Sequence, residues 1–277
     1  MIKTDNMPDV AQLTSPKHRL ITVIGAGGKT SLINWLGTHM QPPEKRVLIT
    51  STTKIFPLQG VCTILNDGQP DFFSRIEQAL ELHRQVVVAQ RLDASSGKLL
   101  GLSPALVTRL RDLNVADTIL VEADGAARKP LKAPAAHEPV IPLESDLCIG
   151  VMGLDAVYRP LTESNVHRHD IFSRITKLRP RELVTPKHMV SLAMAPNGLF
   201  KGSPPDSKLA VVLNKSDIPD GHNWIAEFES ILHGEQRARN YSWFAGSIQQ
   251  GHLNQINTAT SVTHDYFKNP LEYSYQF

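Results

Sequence analysis

The 277-residue chain has only two cysteines, Cys62 and Cys148, and their spacing indicates neither a zinc site nor a disulfide framework. Each lies within an apolar run, which predicts buried free thiols. The chain also lacks an apolar run of 18 residues and an apolar segment near its N-terminus. It therefore predicts no membrane span and no secretion signal, and we expect a cytoplasmic protein.

Neither sign of charge dominates, because the chain has 29 Lys and Arg and 27 Asp and Glu, and the basic and acidic residues are interspersed. This balance predicts no nucleic-acid partner and no membrane surface as a partner. Hydrophobic residues make up 41% of the chain and charged residues 20%, which are ordinary values for a globular protein. The length fits one large domain, or one domain with an insertion.

The most informative stretch runs from Leu20 to Leu32. Its first part, Leu20–Ile24, is rich in β-branched residues and predicts a buried strand. Three glycines follow within four positions, and Lys29-Thr30-Ser31 then opens a helical pattern. A strand, a glycine-rich turn and a helix together direct backbone amides and a helix N-terminus at one point, which attracts phosphate.

This turn is shorter than the usual phosphate loop, G-x-x-x-x-G-K-[ST], because Val23 stands where the first glycine is expected. We expect Lys29 to reach the β- and γ-phosphates as a catalytic cation and Thr30 to bind Mg²⁺. The predicted phosphate cradle consists of Gly25, Ala26, Gly27, Gly28, Lys29, Thr30 and Ser31.

Two other interpretations of the turn stay open. A dinucleotide-binding turn, G-x-G-x-x-G, is nearly matched by Gly25, Gly27 and Thr30, but no acidic residue follows the next predicted strand, Arg46–Thr50. That argues against NAD, although Ser, Thr and Lys at this point could hold a 2′-phosphate. The other interpretation is a glycine-rich turn that binds nothing.

Along the chain, short apolar strands alternate with helical patterns, which predicts an α/β fold of the P-loop NTPase type. We expect three layers: a mostly parallel sheet with helices on both faces, and a helical insertion. The predicted divisions are a loose N-terminal segment (1–17), the first part of the P-loop core (18–152), the helical insertion (153–207), the rest of the core (208–250) and a tail (251–277), for which the sequence indicates neither helix nor strand.

The sequence Asn214-Lys215-Ser216-Asp217 follows the apolar run Leu209–Leu213. In the pattern N-K-x-D the aspartate accepts hydrogen bonds from guanine, the asparagine holds the loop and reaches the base edge, and the lysine stem covers the ring. Ligands of α/β sheets bind at the carboxyl ends of strands, which favours this interpretation. The alternative is a polar surface turn.

Two carboxylates, Glu122 and Asp124, follow the strand Thr118–Val121. At a strand end beside a phosphate loop, such a carboxylate holds Mg²⁺ or polarises the attacking water. We expect Asp124 to bind the metal and Glu122 to be the alternative ligand or to position the water. A solvated Asp-Gly turn is the plainer interpretation.

Three further polar runs allow a functional and a plain interpretation. Thr50–Lys54 is a switch segment or an ordinary loop, with equal support for each. Arg128–Lys132 clamps phosphate or, more commonly, is a solvated charge run. His167–Asp170 fits helix capping or substrate contact better than a metal, because adjacent residues on a helix do not face one site.

The chain resembles the selenium-dependent hydroxylase accessory proteins of the YqeC type. The order of its motifs also resembles the metal-insertion GTPases of urease and hydrogenase. The segments that carry the first resemblance are residues 23–31, 51–57, 121–134, 137–142, 152–156, 166–168 and 213–217.

The resemblance implies a P-loop fold and a role in maturing a molybdenum hydroxylase that needs selenium. Combined with the motifs, it leads us to expect a protein that binds and slowly hydrolyses GTP or, second, ATP with Mg²⁺. Its expected partners are the nucleotide and a client hydroxylase or the proteins that handle its cofactor. The alternatives are a phosphotransferase acting on a small molecule or cofactor, and a non-catalytic holder of a dinucleotide cofactor.

Overall fold

The computed structural model of the protein describes residues 10–40 and 44–258. Its strands are β1 (Leu20–Gly25), β2 (Val47–Ser51), β3 (Lys54–Ile55), β4 (Cys62–Leu65), β5 (Gln85–Ala89), β6 (Arg91–Asp93), β7 (Lys98–Leu100), β8 (Thr118–Glu122), β9 (Leu131–Lys132), β10 (Leu147–Gly153), β11 (Val166–His167), β12 (Lys208–Asn214), β13 (Ser242–Ser247) and β14 (His252–Ile256). Its α-helices are α1 (Val10–Leu13), α2 (Lys29–His39), α3 (Phe72–His83), α4 (Pro104–Asp112), α5 (His169–Thr176), α6 (Pro186–Met194) and α7 (Gly221–Gly234).

Nine strands form one sheet in the order β14-β13-β12-β10-β1-β8-β2-β5-β4. Every neighbouring pair in it is parallel except β13 and β14. The carboxyl ends of β12, β10, β1, β8 and β2 therefore lie along the same edge of the sheet. Ligands of open parallel sheets bind at that edge.

The side chains of β1 explain the layers on each side of the sheet. Leu20 and Ile24 belong to one buried apolar cluster, while Ile21 and Val23 belong to another, as alternation along a strand requires. Helix α2 packs its apolar residues into the second cluster, and α3, α4, α6 and α7 contribute to the first. The predicted α/β, P-loop NTPase-like, three-layer fold is thus confirmed.

Residues 153–207 connect β10 to β12, which are parallel neighbours in the sheet. They contain two helices, α5 and α6, and also the short strand β11, which the sequence did not indicate. Phe172 and Met189 of these helices are fully buried in the same cluster as Cys148 of β10. The predicted helical insertion is therefore a crossover connection that supplies part of the core.

The ends of the chain lie partly outside the described residues. In the predicted N-terminal segment, residues 1–9 are not described, but Leu13 of α1 is buried in the core. Part of the tail forms β14 on the sheet edge, and residues 259–277 are not described. Cys148 is buried as expected, whereas Cys62 is only half-buried; both are free thiols. Of the helices that are described, none has the length and apolar character needed to cross a bilayer.

Candidate functional site

The glycine turn ends in four backbone amides that line a cavity and have no acceptor among the described residues. Gly28 is the N-cap of α2 and makes no side-chain cap bond, and the first amide to find a carbonyl is that of Leu32, bonded to Gly28 O at 2.9 Å. Within the described residues, the amides of Gly28, Lys29, Thr30 and Ser31 have no hydrogen-bond acceptor. A helix N-terminus in this state attracts an anion.

The first three residues of the predicted cradle have their amides occupied. Gly25 N donates to Asp124 Oδ2 at 3.1 Å, Ala26 N donates to Val151 O at 2.9 Å, and Gly27 N donates to the carbonyl of Lys129 at 3.2 Å. These bonds shape the turn and occupy all three backbone amides, so none of the three is free to donate to a ligand. The amides that can receive phosphate begin at Gly28, which explains how so short a loop can still form an anion site.

Close packing requires glycine at Gly27 and at Gly28 of the turn. Gly27 has φ +82°, and a Cβ there would collide with the backbone of Gly153 and with Pro130 O. Gly28 has φ +134°, and a Cβ there would collide with the Asn214 side chain. Both positions combine a left-handed backbone with a neighbour that cannot move freely.

Lys29, the first residue of α2, is 5% exposed and turns back over the loop. Its Nζ donates to Gly25 O at 2.8 Å and lies 3.2 Å from Asp124 Oδ1 and 3.7 Å from Glu122 Oε1. The ammonium thus occupies the centre of the turn. It is positioned to exchange these oxygens for those of a bound phosphate.

Glu122 and Thr30 meet directly, since Thr30 Oγ1 donates to Glu122 Oε2 at 2.7 Å. Glu122 lines the cavity described below, whereas the Asp124 side chain is 3% exposed and does not. Burial raises the pKa of Glu122, and the Lys29 ammonium and the Thr30 hydroxyl oppose that rise. Asp124, the metal ligand predicted from the sequence, is enclosed by the cations of Lys29 and Lys132, whereas Glu122 faces the cavity; the metal ligand stays a prediction.

Asp124 belongs to a buried ion-pair network that ties the phosphate loop to the crossover connection. Its Oδ2 lies 3.0 Å from the ammonium of Lys132, which is only 1% exposed and also contacts Glu138 Oε2 at 2.8 Å and Gly125 O at 2.5 Å. Glu138 in turn receives two hydrogen bonds from the Arg168 guanidinium. Lys29, Lys132 and Arg168 thus face Glu122, Asp124 and Glu138.

Lys132, Glu138 and Arg168 were not among the predicted site residues. The solvated charge run expected for 128–132 is wrong for Lys132, which lies at the centre of this network. A signal was available, since Lys132, Glu138 and Arg168 all fall within the segments that carry the family resemblance. Lys132 pairs with the nearby Asp124 and Glu138, and Glu138 with the more distant Arg168, but these residues lie in loops and short strands that have no period to indicate the contacts.

The loop after β12 is attached to the phosphate loop through Asn214, the last residue of that strand. Asn214 Nδ2 donates to Gly27 O at 2.8 Å, and its Oδ1 accepts from Ile248 N at 3.0 Å. Each polar atom of Asn214 thus makes a hydrogen bond, and the two bonds hold the loop in place. Lys215 pairs with Asp155 at 2.6 Å. Asp217 is exposed, and its carboxylate has no partner among the described residues.

A cavity of about 650 Å³ opens over these groups, within the usual size range of small-molecule sites. It brings together the phosphate-loop amides, Glu122 and several cations from strands β3 and β7 and from the loops after β8 and β12. No residue between 153 and 207 lines it. The lining residues are Gly27, Gly28, Lys29, Thr30, Ser31, Lys54, Ile55, Phe56, Lys98, Glu122, Gly125, Ala126, Ala127, Arg128, Lys129 and Lys215.

The hydroxyls of the predicted switch segment Thr50–Lys54 face inward. Thr50 Oγ1 donates to Val88 O at 2.7 Å, Ser51 Oγ to Glu122 O at 2.8 Å, and Thr52 Oγ1 to Val140 O at 2.6 Å. They join neighbouring strands and loops, and only Lys54 of this segment lines the cavity. In the run 167–170, Arg168 contacts Glu138, as described, and Asp170 pairs with Arg174 at 3.3 Å.

The sequence matches the profile of the family described as YqeC protein over residues 21–170. It is also 34% identical over 236 residues to the uncharacterized protein YqeC of Escherichia coli strain K12, an alignment that covers 83% of this chain and 88% of that protein. The chain belongs to the YqeC family. The phosphate turn, Glu122, Asp124, Lys132, Glu138 and Arg168 all lie within the span that matches the YqeC profile.

Two solved structures resemble the chain at low identity. The hydrogenase maturation factor HypB of Archaeoglobus fulgidus gives a TM-score of 0.38 at 9% identity, covering 86% of this chain and 85% of that one. HypB of Helicobacter pylori in complex with nickel gives a TM-score of 0.37 at 10% identity, covering 85% and 81%.

Replacing Lys132 with Met should lower the free energy of unfolding by about 3–5 kcal/mol, because it leaves the buried carboxylates of Asp124 and Glu138 undercompensated. Urea titration followed by circular dichroism measures this. Lys129→Met is the matched control, since Lys129 lies in the same segment but has no ion pair among the described residues; it should cost less than about 0.5 kcal/mol. Equal stability of the two variants would contradict a structural role for Lys132.

Glu138 should also impose a pH dependence on stability. Burial raises the pKa of Glu138, but the hydrogen bonds from Arg168 and Lys132 outweigh burial and hold that pKa at about 2, below the ordinary 4.5. A carboxylate with a depressed folded-state pKa stabilises the protein above its ordinary pKa, and this stabilisation is lost as the pH falls toward the folded-state value.

The variant Glu138→Gln should therefore be less stable than the wild type at pH 7, and the difference should shrink between about pH 4.5 and 2. Urea midpoints measured for both proteins at pH 7, 5, 4 and 3 provide the comparison. A difference that stays constant over this range would show that the Glu138 carboxylate is not held by the ion pairs.

Proposed function

We propose that this protein binds a nucleoside triphosphate together with Mg²⁺, prefers GTP, hydrolyses it slowly, and uses the cycle in maturing a selenium-dependent molybdenum hydroxylase. The observation that supports it most directly is the set of four unbonded amides, Gly28 to Ser31, beside the Lys29 ammonium at the floor of a cationic cavity. Amides and a lysine in this arrangement suit the β- and γ-phosphates.

The donor set next to the amides fits Mg²⁺. This ion prefers oxygen ligands and is commonly held by one or two carboxylates, phosphate oxygens and water. Thr30 Oγ1 and Glu122 Oε2, 2.7 Å apart, supply a hydroxyl and a carboxylate beside the phosphate-binding amides. Bound there, Mg²⁺ would neutralise charge on the phosphates, while Lys29 would stabilise charge on the terminal phosphate.

The preference for GTP rests on Asp217. Its carboxylate is exposed, unpartnered among the described residues and three residues beyond Asn214, which is itself bonded to the phosphate loop. A guanine above Lys215 would offer this carboxylate two N–H donors, whereas adenine would not. The client role rests on the resemblance of motifs, and the chain's own contacts do not name the client.

Phosphate transfer to a small molecule is the second candidate function. The cavity extends past Glu122 to Lys54, Phe56 and Arg128, which leaves room for an acceptor beyond the terminal phosphate. The crossover connection does not line this cavity. Nucleotide labelled at the γ-phosphate separates the two functions, because hydrolysis releases free phosphate and transfer labels an acceptor.

Asp217→Ala should weaken GTP binding about 10- to 100-fold, the cost of losing charge-assisted hydrogen bonds, and should leave ATP binding within about 2-fold. Titration with fluorescent GTP and ATP analogues measures both affinities. Asp206→Ala, which removes another exposed aspartate, is the control and should change neither. Equal affinity of the wild type for GTP and ATP would remove the guanine assignment.

Glu122→Gln should reduce the tightening of GTP binding by Mg²⁺ at least about 10-fold, because it removes the charge of the metal-binding carboxylate. Asp124→Asn should lower stability but keep the response to Mg²⁺. The test compares GTP affinities with and without Mg²⁺ for the two variants under native conditions. If Asp124→Asn lost the response and Glu122→Gln kept it, Asp124 would be the ligand after all.

A further inference from the structure

The cavity has a second half that the nucleotide proposal leaves unused. We call this half the second subsite and define it by Lys54, Phe56, Lys98, Arg128 and Lys129, all of which line the cavity. Lys54, which follows β2, lies on the far side of Glu122 from the loop that carries Asn214 and Asp217, whereas the backbone of Lys129 contacts the phosphate turn at Gly27. The class of ligand that the second subsite could bind follows from its place in the sheet, its charge and its aromatic ring.

The order of the strands places the two halves side by side. Asn214 ends β12, Gly25 ends β1, Glu122 ends β8, and Lys54 follows β2, in the spatial order β12-β10-β1-β8-β2. A nucleotide with its base at β12 and its phosphates at α2 would have its terminal phosphate directed toward Glu122. The second subsite begins there, so the body of the nucleotide does not fill it.

The second subsite carries an excess of positive charge. Lys54 pairs with Asp93 at 2.9 Å, but Lys98, Arg128 and Lys129 have no carboxylate partner among the described residues. Like charges held close together are unfavourable unless an anion joins them. Three uncompensated cations converging on one cavity therefore point to an anionic ligand.

Phe56 adds an aromatic surface to these charges. Its ring is 45% exposed, with Lys98 Nζ at 4.9 Å and the Arg128 guanidinium at 5.1 Å from the ring centre. Both cations lie over the ring, a contact that does not neutralise their charge. A large apolar side chain exposed among cations suits a ligand that is both planar and negatively charged.

The second subsite is held by a framework of its own. Strand β3, which carries Lys54, pairs with β7, which begins at Lys98, in a small three-stranded sheet with β6. Arg128 stands on the opposite wall, where Ala127 and Arg128 both adopt positive φ, 47° and 58°. Non-glycine residues keep this costly conformation only where surrounding structure enforces it, so the backbone that carries Arg128 is held in place.

We propose that the second subsite binds a second small molecule, a phosphate ester that carries a planar ring, next to the terminal phosphate of the nucleotide. Phe56 stacks on the ring, and Lys98, Arg128 and Lys129 bind the phosphate. The proposal rests on the proposed function only for the position of the nucleotide. Binding to the second subsite itself can be measured with or without nucleotide present.

Two probes test this on the full chain: flavin mononucleotide, followed by its fluorescence, and phenyl phosphate, followed by calorimetry and too small to be excluded by shape. Both should bind to protein saturated with a non-hydrolysable GTP analogue and Mg²⁺. The double variant Lys98→Gln/Arg128→Gln should weaken their binding at least about 10-fold, since it removes two charged partners of the phosphate. Phe56→Leu should weaken both probes, and Phe56→Tyr, which keeps a ring, should bind them like the wild type.

Lys187→Gln, at an exposed lysine on α6, is the matched control and should bind the probes normally. Nucleotide affinity should stay within about 3-fold in the double variant, because the nucleotide does not use these cations. Displacement of the probes by the nucleotide, or an equal loss of nucleotide affinity in the double variant, would overturn the second subsite, and so would failure of both probes to bind. If the wild type bound the probes but no nucleotide, the proposed function would fail while the second subsite stood.

Discussion

The structure depends on the way Asp124 is held between two buried lysines. Its carboxylate lies 3.2 Å from the Lys29 ammonium and 3.0 Å from that of Lys132, and it also accepts a hydrogen bond from Gly25 N. A buried carboxylate is costly unless it is paired and hydrogen-bonded. The Asp124 side chain thus holds the start of the phosphate turn through Gly25 N. It also positions Lys29, the lysine that would contact a phosphate, and links the turn to Lys132.

Through Lys132 the same network reaches the crossover connection. Glu138 contacts Lys132 on one side and Arg168, at the start of α5, on the other. If a phosphate drew Lys29 away from Asp124, the charge balance of the whole chain of ion pairs would change. That gives a physical connection between the phosphate turn and Arg168, about 140 residues further along the sequence.

The parts of this molecule that local pattern determines could be predicted, and those that depend on distant pairing could not. Continuous apolar runs such as Leu147–Met152 indicated the central strands, and Ser103-Pro104 indicated the start of α4, where Ser103 Oγ does accept from Leu106 N. Strands of two or three residues, such as β3 and β9, are too short to show a period.

The side-chain contacts of the site could not be predicted either, because a motif identifies residues but not the side chains that they contact. The carboxylate that meets Thr30 is that of Glu122, and the ammonium buried in the network is that of Lys132.

Nucleotide binding at this site requires that phosphate take the place of the oxygens that now hold Lys29. A crystal structure with a non-hydrolysable GTP analogue and Mg²⁺ tests it most directly. We expect phosphate oxygens on the amides of 28–31 and on Lys29 Nζ; a nucleotide bound elsewhere, with Lys29 still on Gly25 O and Asp124, would contradict it.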